Sequence, residues 1–262
     1  MREFMYDINS FVIAIVLLVS LVAAIEAGYW VGRKFKYAIN DSLFSHINAI
    51  QASLLGILAL LLGFTFSLAL QRHDTRSISV VEEANAIGTA WLRAGLLEAP
   101  LNEQASDLIA QYLEQRINAG GIDLAHDEER LLVINESRLI QNELWEIAKQ
   151  ASMTASNQPA TALFVDSLNA MFDSLASRNA ALERHVPEVV LMLLYGTFLM
   201  VGTIVGYAAG VAGHRVSFVS YIMVGLIVML VFIIIDLDRP RRGLIAVNQD
   251  SLLELRQSLS AP

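Results

Sequence analysis

Four stretches of this chain are almost uniformly apolar, and each reaches the roughly 20 residues that a bilayer-spanning helix needs. The first runs from Phe11 to about Gly32 and closes on Tyr29 and Trp30, followed by Arg33, Lys34 and Lys36. That order is an aromatic interface anchor and then a set of bases that reach for the headgroups. Glu3 and Asp7 ahead of it and Glu26 inside it fit poorly with a cleaved leader. The second stretch, about Ala52 to Leu70, carries no charge, and neither do the third, Val189 to Gly213, and the fourth, Val216 to Ile235. Only His214 and Arg215 separate the last two, which predicts a tight helical hairpin. Four crossings put both termini and the long middle segment on one side of the membrane.

Between the second and third stretches, apolar residues recur at three- and four-residue steps, as in amphipathic helices. From Gln71 the second stretch reads on without a breaker as far as Pro100, with Val80, Ala84, Ile87, Trp91 and Leu92 as its apolar face. Another helix covers about Asn102 to Ala119 and stops at Gly120 and Gly121. The next spans about His126 to Ala151, with Leu131, Ile134, Leu139, Leu144, Trp145 and Ile147 as its stripe. Asn157, Gln158 and Pro159 open a further one, with proline in the first turn. It carries Leu163, Phe164, Leu168, Met171, Phe172 and Leu175 toward Pro187. Pro240 ends the fourth apolar stretch, and a short amphipathic helix over Ser251–Leu259 presents Leu252, Leu255 and Leu259. Nothing alternates as a strand does. The pattern predicts an all-α membrane protein, with two transmembrane helices at each end flanking an extramembrane helical bundle. Its parts are a helix pair over 1–71, the bundle over 72–185, a hairpin over 186–238 and a tail over 239–262.

These elements resolve a composition at odds with itself. Of 262 residues, 55 % are hydrophobic and 17 % charged, and mean hydropathy is +0.51, yet the net charge is −8. Residues 1–71 hold four bases and four acids and residues 186–262 hold five of each. Residues 72–185 hold nine bases against 17 acids, so the whole −8 belongs to the bundle. An acidic bundle disfavours nucleic acid as a partner. Without cysteine there is no disulfide, thiolate metal site or cysteine nucleophile. His46, His73, His126, His185 and His214 are scattered, and no zinc-protease, phosphate-loop, serine-elbow or dinucleotide signature is present. No catalytic, cofactor or metal site is therefore expected. Bases near the spans point to a cytoplasmic bundle and cytoplasmic termini. Arg2, Arg72, Arg76, Arg178, Arg184, Arg239, Arg241 and Arg242 lie on that side, against Arg33, Lys34, Lys36 and Arg215 on the other. Without the bundle's own four arginines the two sides tie.

Several constellations carry candidate chemistry. Gly202, Gly206 and Gly210 repeat every four residues and clear one helix face for close approach of a neighbouring backbone. Gly28 and Gly32 form a shorter version. Gly56, Leu60, Phe64 and Ser67 share a face of the second span. A ring of such helices would form a narrow apolar constriction that gates by dewetting; alternatively the face packs on lipid or a sister helix. Farther along, Glu82, Asn85, Thr89 and Arg93 share a face by 3-4-4 spacing. They could form an internal hydrogen-bond ladder, line a water-filled vestibule or simply face solvent. Glu26 is expected to pair with a base, with Arg33 nearby; the alternatives are that it ionises at the interface beside Trp30 or is protonated. Asp236, Asp238 and Arg239 stand where the fourth span leaves the membrane, as a salt-bridge cap or a headgroup contact.

Three strings in order, HINAIQASLLGILALLLGFTFSLALQRHDTR, EEANAIGTAWLRAGLL and DLDRPRRG, resemble the bacterial membrane family called bestrophin-like, from about Glu26 to Leu252. More distantly the layout is similar to bestrophins, pentameric ion channels with two membrane helices on each side of a cytosolic helical region. Bestrophins carry an L-G-F string in the second membrane helix and an arginine where that helix leaves the membrane. Leu62, Gly63 and Phe64, with Arg72, match it. The resemblance implies a homo-oligomer, pentameric, in a bacterial inner membrane, with Phe64 in a hydrophobic pore neck and Leu60 and Gly56 one and two turns before it. It does not imply calcium activation, because the acidic run of animal bestrophins has no counterpart after the fourth span. The expected partners are the lipid bilayer, further copies of the chain and inorganic ions. The expected function is a cation-preferring channel; the alternative is a non-conducting membrane scaffold or sensor whose bundle docks a partner.

Overall fold

The computed structural model describes residues 8–36, 41–121, 127–154, 158–239 and 244–260. Arg2, His126, Asn157 and residues 240–243, which include Arg241 and Arg242, lie outside them. The described residues form α-helices: α1 (Ser10–Phe35), α2 (Asp41–Ala94), α3 (Leu101–Gly120), α4 (Asp127–Thr154), α5 (Gln158–Leu182), α6 (Glu188–Ala212), α7 (Phe218–Asp238) and α8 (Asp250–Ser260). Helices α1, α2, α6 and α7 are long and apolar enough to cross a membrane. The chain packs as two units, one of residues 1–71 and 185–239, the other of residues 72–184 and 240–262.

The first unit is built on a seam between α1 and α6. A side chain on Gly206 would overlap the carbonyl of Ile25, and one on Gly210 the carbonyl of Tyr29. From the other side, Gly28 and Gly32 lie against the carbonyls of Thr203 and Tyr207. Four glycines thus interleave, and the backbones meet where lipid offers no hydrophobic drive and packing must hold the pair. Gly202 is looser, facing the Leu21 side chain at 3.3 Å. Around the seam, Leu21, Ile25, Phe198, Val201, Val231 and Ile234 close an apolar core with Leu58 and Leu62 of α2. Gly213, at φ 79°, turns the chain out of α6, and its N–H bonds the Gly210 carbonyl. Ser217 then caps α7 by accepting from the Val219 N–H at 3.3 Å. The hairpin link therefore runs from 213 to 217, longer than the His214–Arg215 pair expected, because Ser217 starts the helix after the last unpaired turn.

The second unit gathers Ile87 of α2, Ile109, Tyr112 and Leu113 of α3, Leu144 of α4, Phe164, Leu168 and Met171 of α5, and Leu252 of α8. The tail helix is therefore part of this core. Arg76, itself buried, closes the end of α5: its Nε donates to the Ala181 carbonyl at 3.2 Å and its Nη2 to the Arg184 carbonyl at 2.6 Å. These are carbonyls at or just past a helix C-terminus, which need an outside donor.

Three expectations are corrected here. Helix α2 stops at Ala94, ahead of Pro100, where the chain turns through Leu96 N–H to Arg93 O and Leu97 N–H to Ala94 O. Leu92, expected in the apolar face, is 68 % exposed, because it lies about 80° outside the arc of Val80, Ala84 and Ile87. Leu131 and Leu139 of α4 are exposed as well. In their place Ser137 is buried and donates to Gln115 Oε1 at 2.8 Å, while Gln115 Nε2 donates to the Val133 carbonyl at 2.9 Å. This polar α3–α4 contact sets the rotation of α4 and turns the two leucines outward.

The seam makes a graded prediction. Gly206→Ala forces backbones apart and is expected to cost about 1–3 kcal/mol, whereas at Gly202 a leucine side chain can yield. Thermal unfolding in detergent should show a clearly lower midpoint for Gly206→Ala than for Gly202→Ala.

Candidate functional site

Helix α2 presents two opposite arcs. In its membrane portion Leu58, Leu62, Thr65 and Ala69 are buried in the first unit. Gly56, Leu60, Phe64 and Ser67 face away from it: Phe64 is 66 % exposed, Leu60 58 %, and a side chain on Gly56 would meet nothing within 4 Å. In the second unit, Val80, Glu83, Ala84 and Ile87 are buried, and Asp74, Glu82, Asn85 and Thr89 are exposed. At 3.6 residues per turn, the outward residues of both portions keep to an arc of about 100° on one helix.

The polar set on that arc is not a ladder. Glu82, Asn85 and Thr89 make no side-chain hydrogen bond among the described residues, and Arg93 turns to α5, donating to the Leu163 carbonyl at 2.9 Å and to Asp166 Oδ2 at 3.0 Å. The carboxylate that is enclosed is Glu83, which sequence reasoning passed over. It accepts from Arg116 Nε at 2.7 Å and from Arg178 Nη1, and Arg178 Nη2 donates to Gln249 Oε1 at 2.8 Å. Helices α2, α3 and α5 and the approach to α8 are tied at one buried charge. Tyr112 lies beside it, and burial, with the Glu83 carboxylate second, pushes its phenol well above the usual range, so it stays neutral at physiological pH. The signal for Glu83 was available: it falls three residues after Val80 and four before Ile87, on the apolar face.

At the membrane exit, Asp236, Asp238 and Arg239 are all buried. Both Asp238 carboxylate oxygens accept from the Val186 N–H, at 3.1 and 3.0 Å, and His185 Nδ1 lies 3.7 Å from Oδ2. Arg239 Nη1 donates to Ser10 Oγ at 3.0 Å. The string therefore knots the start of α1, the approach to α6 and the end of α7. Glu26 meets no base among the described residues; Tyr221 of α7 donates to its Oε1 at 3.1 Å. Arg33 lies two turns on, at the interface, too far along the axis to reach it. No group of three His, Cys, Asp or Glu among the described residues could hold a metal ion.

Four helices long and apolar enough to cross a membrane place the chain in the class of helical membrane proteins. The family model described as Bestrophin-like domain matches residues 18–252, and the chain belongs to that family. No curated protein and no solved structure matches it.

Glu83→Gln would leave Arg116 and Arg178 buried without a full counter-charge, a change expected to cost about 3–5 kcal/mol. The urea midpoint of helix loss in detergent should fall sharply for Glu83→Gln and stay unchanged for Glu82→Gln, whose carboxylate is already in solvent.

Proposed function

We propose that the protein is a homo-oligomeric ion channel, a pentamer, whose pore is lined by α2. The observation that carries this reading is the outward stripe of Gly56, Leu60, Phe64 and Ser67, unpacked within its own unit while the opposite arc is buried. Leu60 and Phe64 form the hydrophobic neck, which holds water out until it widens. Glycine at Gly56 leaves the lumen wider a turn earlier. Glu82, Asn85, Thr89 and Arg93 continue the route through a polar vestibule. Membership in the bestrophin-like family, and the match of Leu62, Gly63, Phe64 and Arg72 to the bestrophin pattern, support both the pore helix and the subunit number. The channel sits in the bacterial inner membrane with its helical domain and termini in the cytoplasm, the side that the nearby bases favour. The Asp236, Asp238 and Arg239 knot and the glycine seam hold the membrane helices in place around this route.

The conducted ion follows from charge. Each chain carries −8, all of it within residues 72–185, so a pentamer gathers about −40, enough to concentrate cations where acids such as Asp74 and Glu82 face the lumen. A second reading, a non-conducting scaffold or sensor whose helical domain docks a partner, rests on the exposed Leu131, Leu132 and Leu139 of α4.

Low-resolution imaging of the detergent-solubilised protein separates the two: a ring with a central channel is expected, and a monomer or compact dimer removes the channel reading. In reconstituted bilayers under a potassium chloride gradient, the reversal potential should move toward the potassium equilibrium value; movement toward chloride rejects cation preference. Phe64→Ala should raise unitary conductance or leak, and an unchanged current would take Phe64 out of the neck.

A further inference from the structure

Helix α8 lies in a seat opened by two glycines of the second unit. A side chain on Gly88, in the interior of α2, would stand 3.1 Å from Leu255 Cδ1. One on Gly120, the last residue of α3, would overlap Gln249 Oε1. Both glycines are helical and neither has a positive φ, so the backbone does not require them. Glycine inside a helix is destabilising relative to alanine, and room for the tail is what offsets it here. Leu252 is fully buried in the core of the unit. Arg178 Nη2 donates to Gln249 Oε1 at 2.8 Å, and Arg256 Nη1 pairs with Glu114 Oε2 at 3.5 Å. The tail thus crosses α2, α3 and α5.

The hold is nonetheless light. Six residues of α3 and nine of α5 are buried, against Leu252 alone in α8. Arg256 and Glu114 are 44 % and 50 % exposed, and a pair so solvated contributes little. No main-chain hydrogen bond joins α8 to α2, α3 or α5 among the described residues. The first turn of α8 is closed from within its own segment, by Asn248 Oδ1 accepting from the Asp250 N–H at 2.7 Å.

We propose that α8 is a releasable strap, which leaves α2, α3 and α5 as a unit while the bundle beneath it stays folded. Local opening starts where the fewest apolar contacts are buried, and in this unit that is the tail. Release withdraws Leu255 from Gly88 and Gln249 from Arg178, so α2 loses one of its ties to α3 and α5. Glu83 keeps its bonds to Arg116 and Arg178, and the enclosed charges stay paired through the opening. The strap rests on the packing of the second unit alone, and it holds whether or not the protein conducts.

The test is hydrogen–deuterium exchange, read by mass spectrometry on the full chain in mild detergent. In the native chain, peptides of α8 should exchange about tenfold faster than those of α3 and α5, or more. Leu252→Ser removes the one fully buried anchor of the tail. It should speed exchange in α8 by about tenfold again and leave α3 and α5 close to their native rates. Gly88→Leu fills the seat from the side of α2, where leucine is a better helix former than glycine. It should release α8 in the same way, and if it does not fold, Leu252→Ser decides alone. A native tail that exchanges as slowly as α3 and α5 overturns the strap, because it then opens only with the whole unit. Loss of protection across α3 and α5 in Leu252→Ser overturns it as well, by making α8 a fixed part of the core. An α8 rate unmoved by Leu252→Ser removes the seat as what holds the tail.

Discussion

One unbroken helix sets the terms for everything proposed here. Helix α2 runs for 54 residues, from Asp41 to Ala94, about 80 Å at 1.5 Å per residue. Within each unit, packing on one arc of the helix dictates what the opposite arc presents. Leu58, Leu62, Thr65 and Ala69 are held in the membrane unit, and Gly56, Leu60, Phe64 and Ser67 must point out of it. Farther along, Glu83 locked between Arg116 and Arg178 turns Glu82, Asn85 and Thr89 outward by the same geometry. In each unit, what α2 exposes follows from the register of what it buries.

The two units differ in composition, and they are held by different forces. In the membrane unit the gain from burying apolar surface is largely gone, since lipid is as apolar as leucine, and close contact has to come from shape. The α1–α6 glycines supply it by letting backbones touch. Polar ties then fix the ends: Asp238 to Val186, Arg239 to Ser10, and Tyr221 to Glu26. In the other unit, the core of Ile87, Ile109, Phe164, Leu168 and Met171 gathers the apolar faces of amphipathic helices. Its enclosed charges add specificity at that core: a buried Arg–Glu–Arg set stabilises little by itself, but a wrong packing that separated its members would be penalised heavily.

Much of this was legible along the chain. The apolar runs are local sums, so the four membrane-length helices, the start of α5 at Gln158–Pro159 and the stop of α3 at Gly120–Gly121 follow from neighbouring residues alone. The small-residue spacing of α6 also pointed to close helix contact, although its partner among the other helices did not show. What misled was periodicity taken without partners. Leu131 and Leu139 fit an apolar stripe as well as Leu144 does, yet the Ser137–Gln115 contact rotates α4 so that only Leu144 is buried. Within the candidate site, the outward stripe of α2 could be drawn as a helical face; which face was outward could not.

Sequence by itself determined that the chain is helical, where it is apolar enough to span a bilayer, and that its −8 resides between the second and third spans. It did so because hydrophobicity, helix propensity and charge are properties of residues close in the chain. Tertiary structure decided which carboxylate is enclosed, since the partners of Glu83 lie 33 and 95 residues away. It likewise gave Glu26 a tyrosine 195 residues distant in place of a base, and it joined the tail helix to the core of the second unit. Those choices depend on which helices meet and at what rotation, and no local pattern carries that information. A charge finds its partner only after the backbone has brought distant segments together.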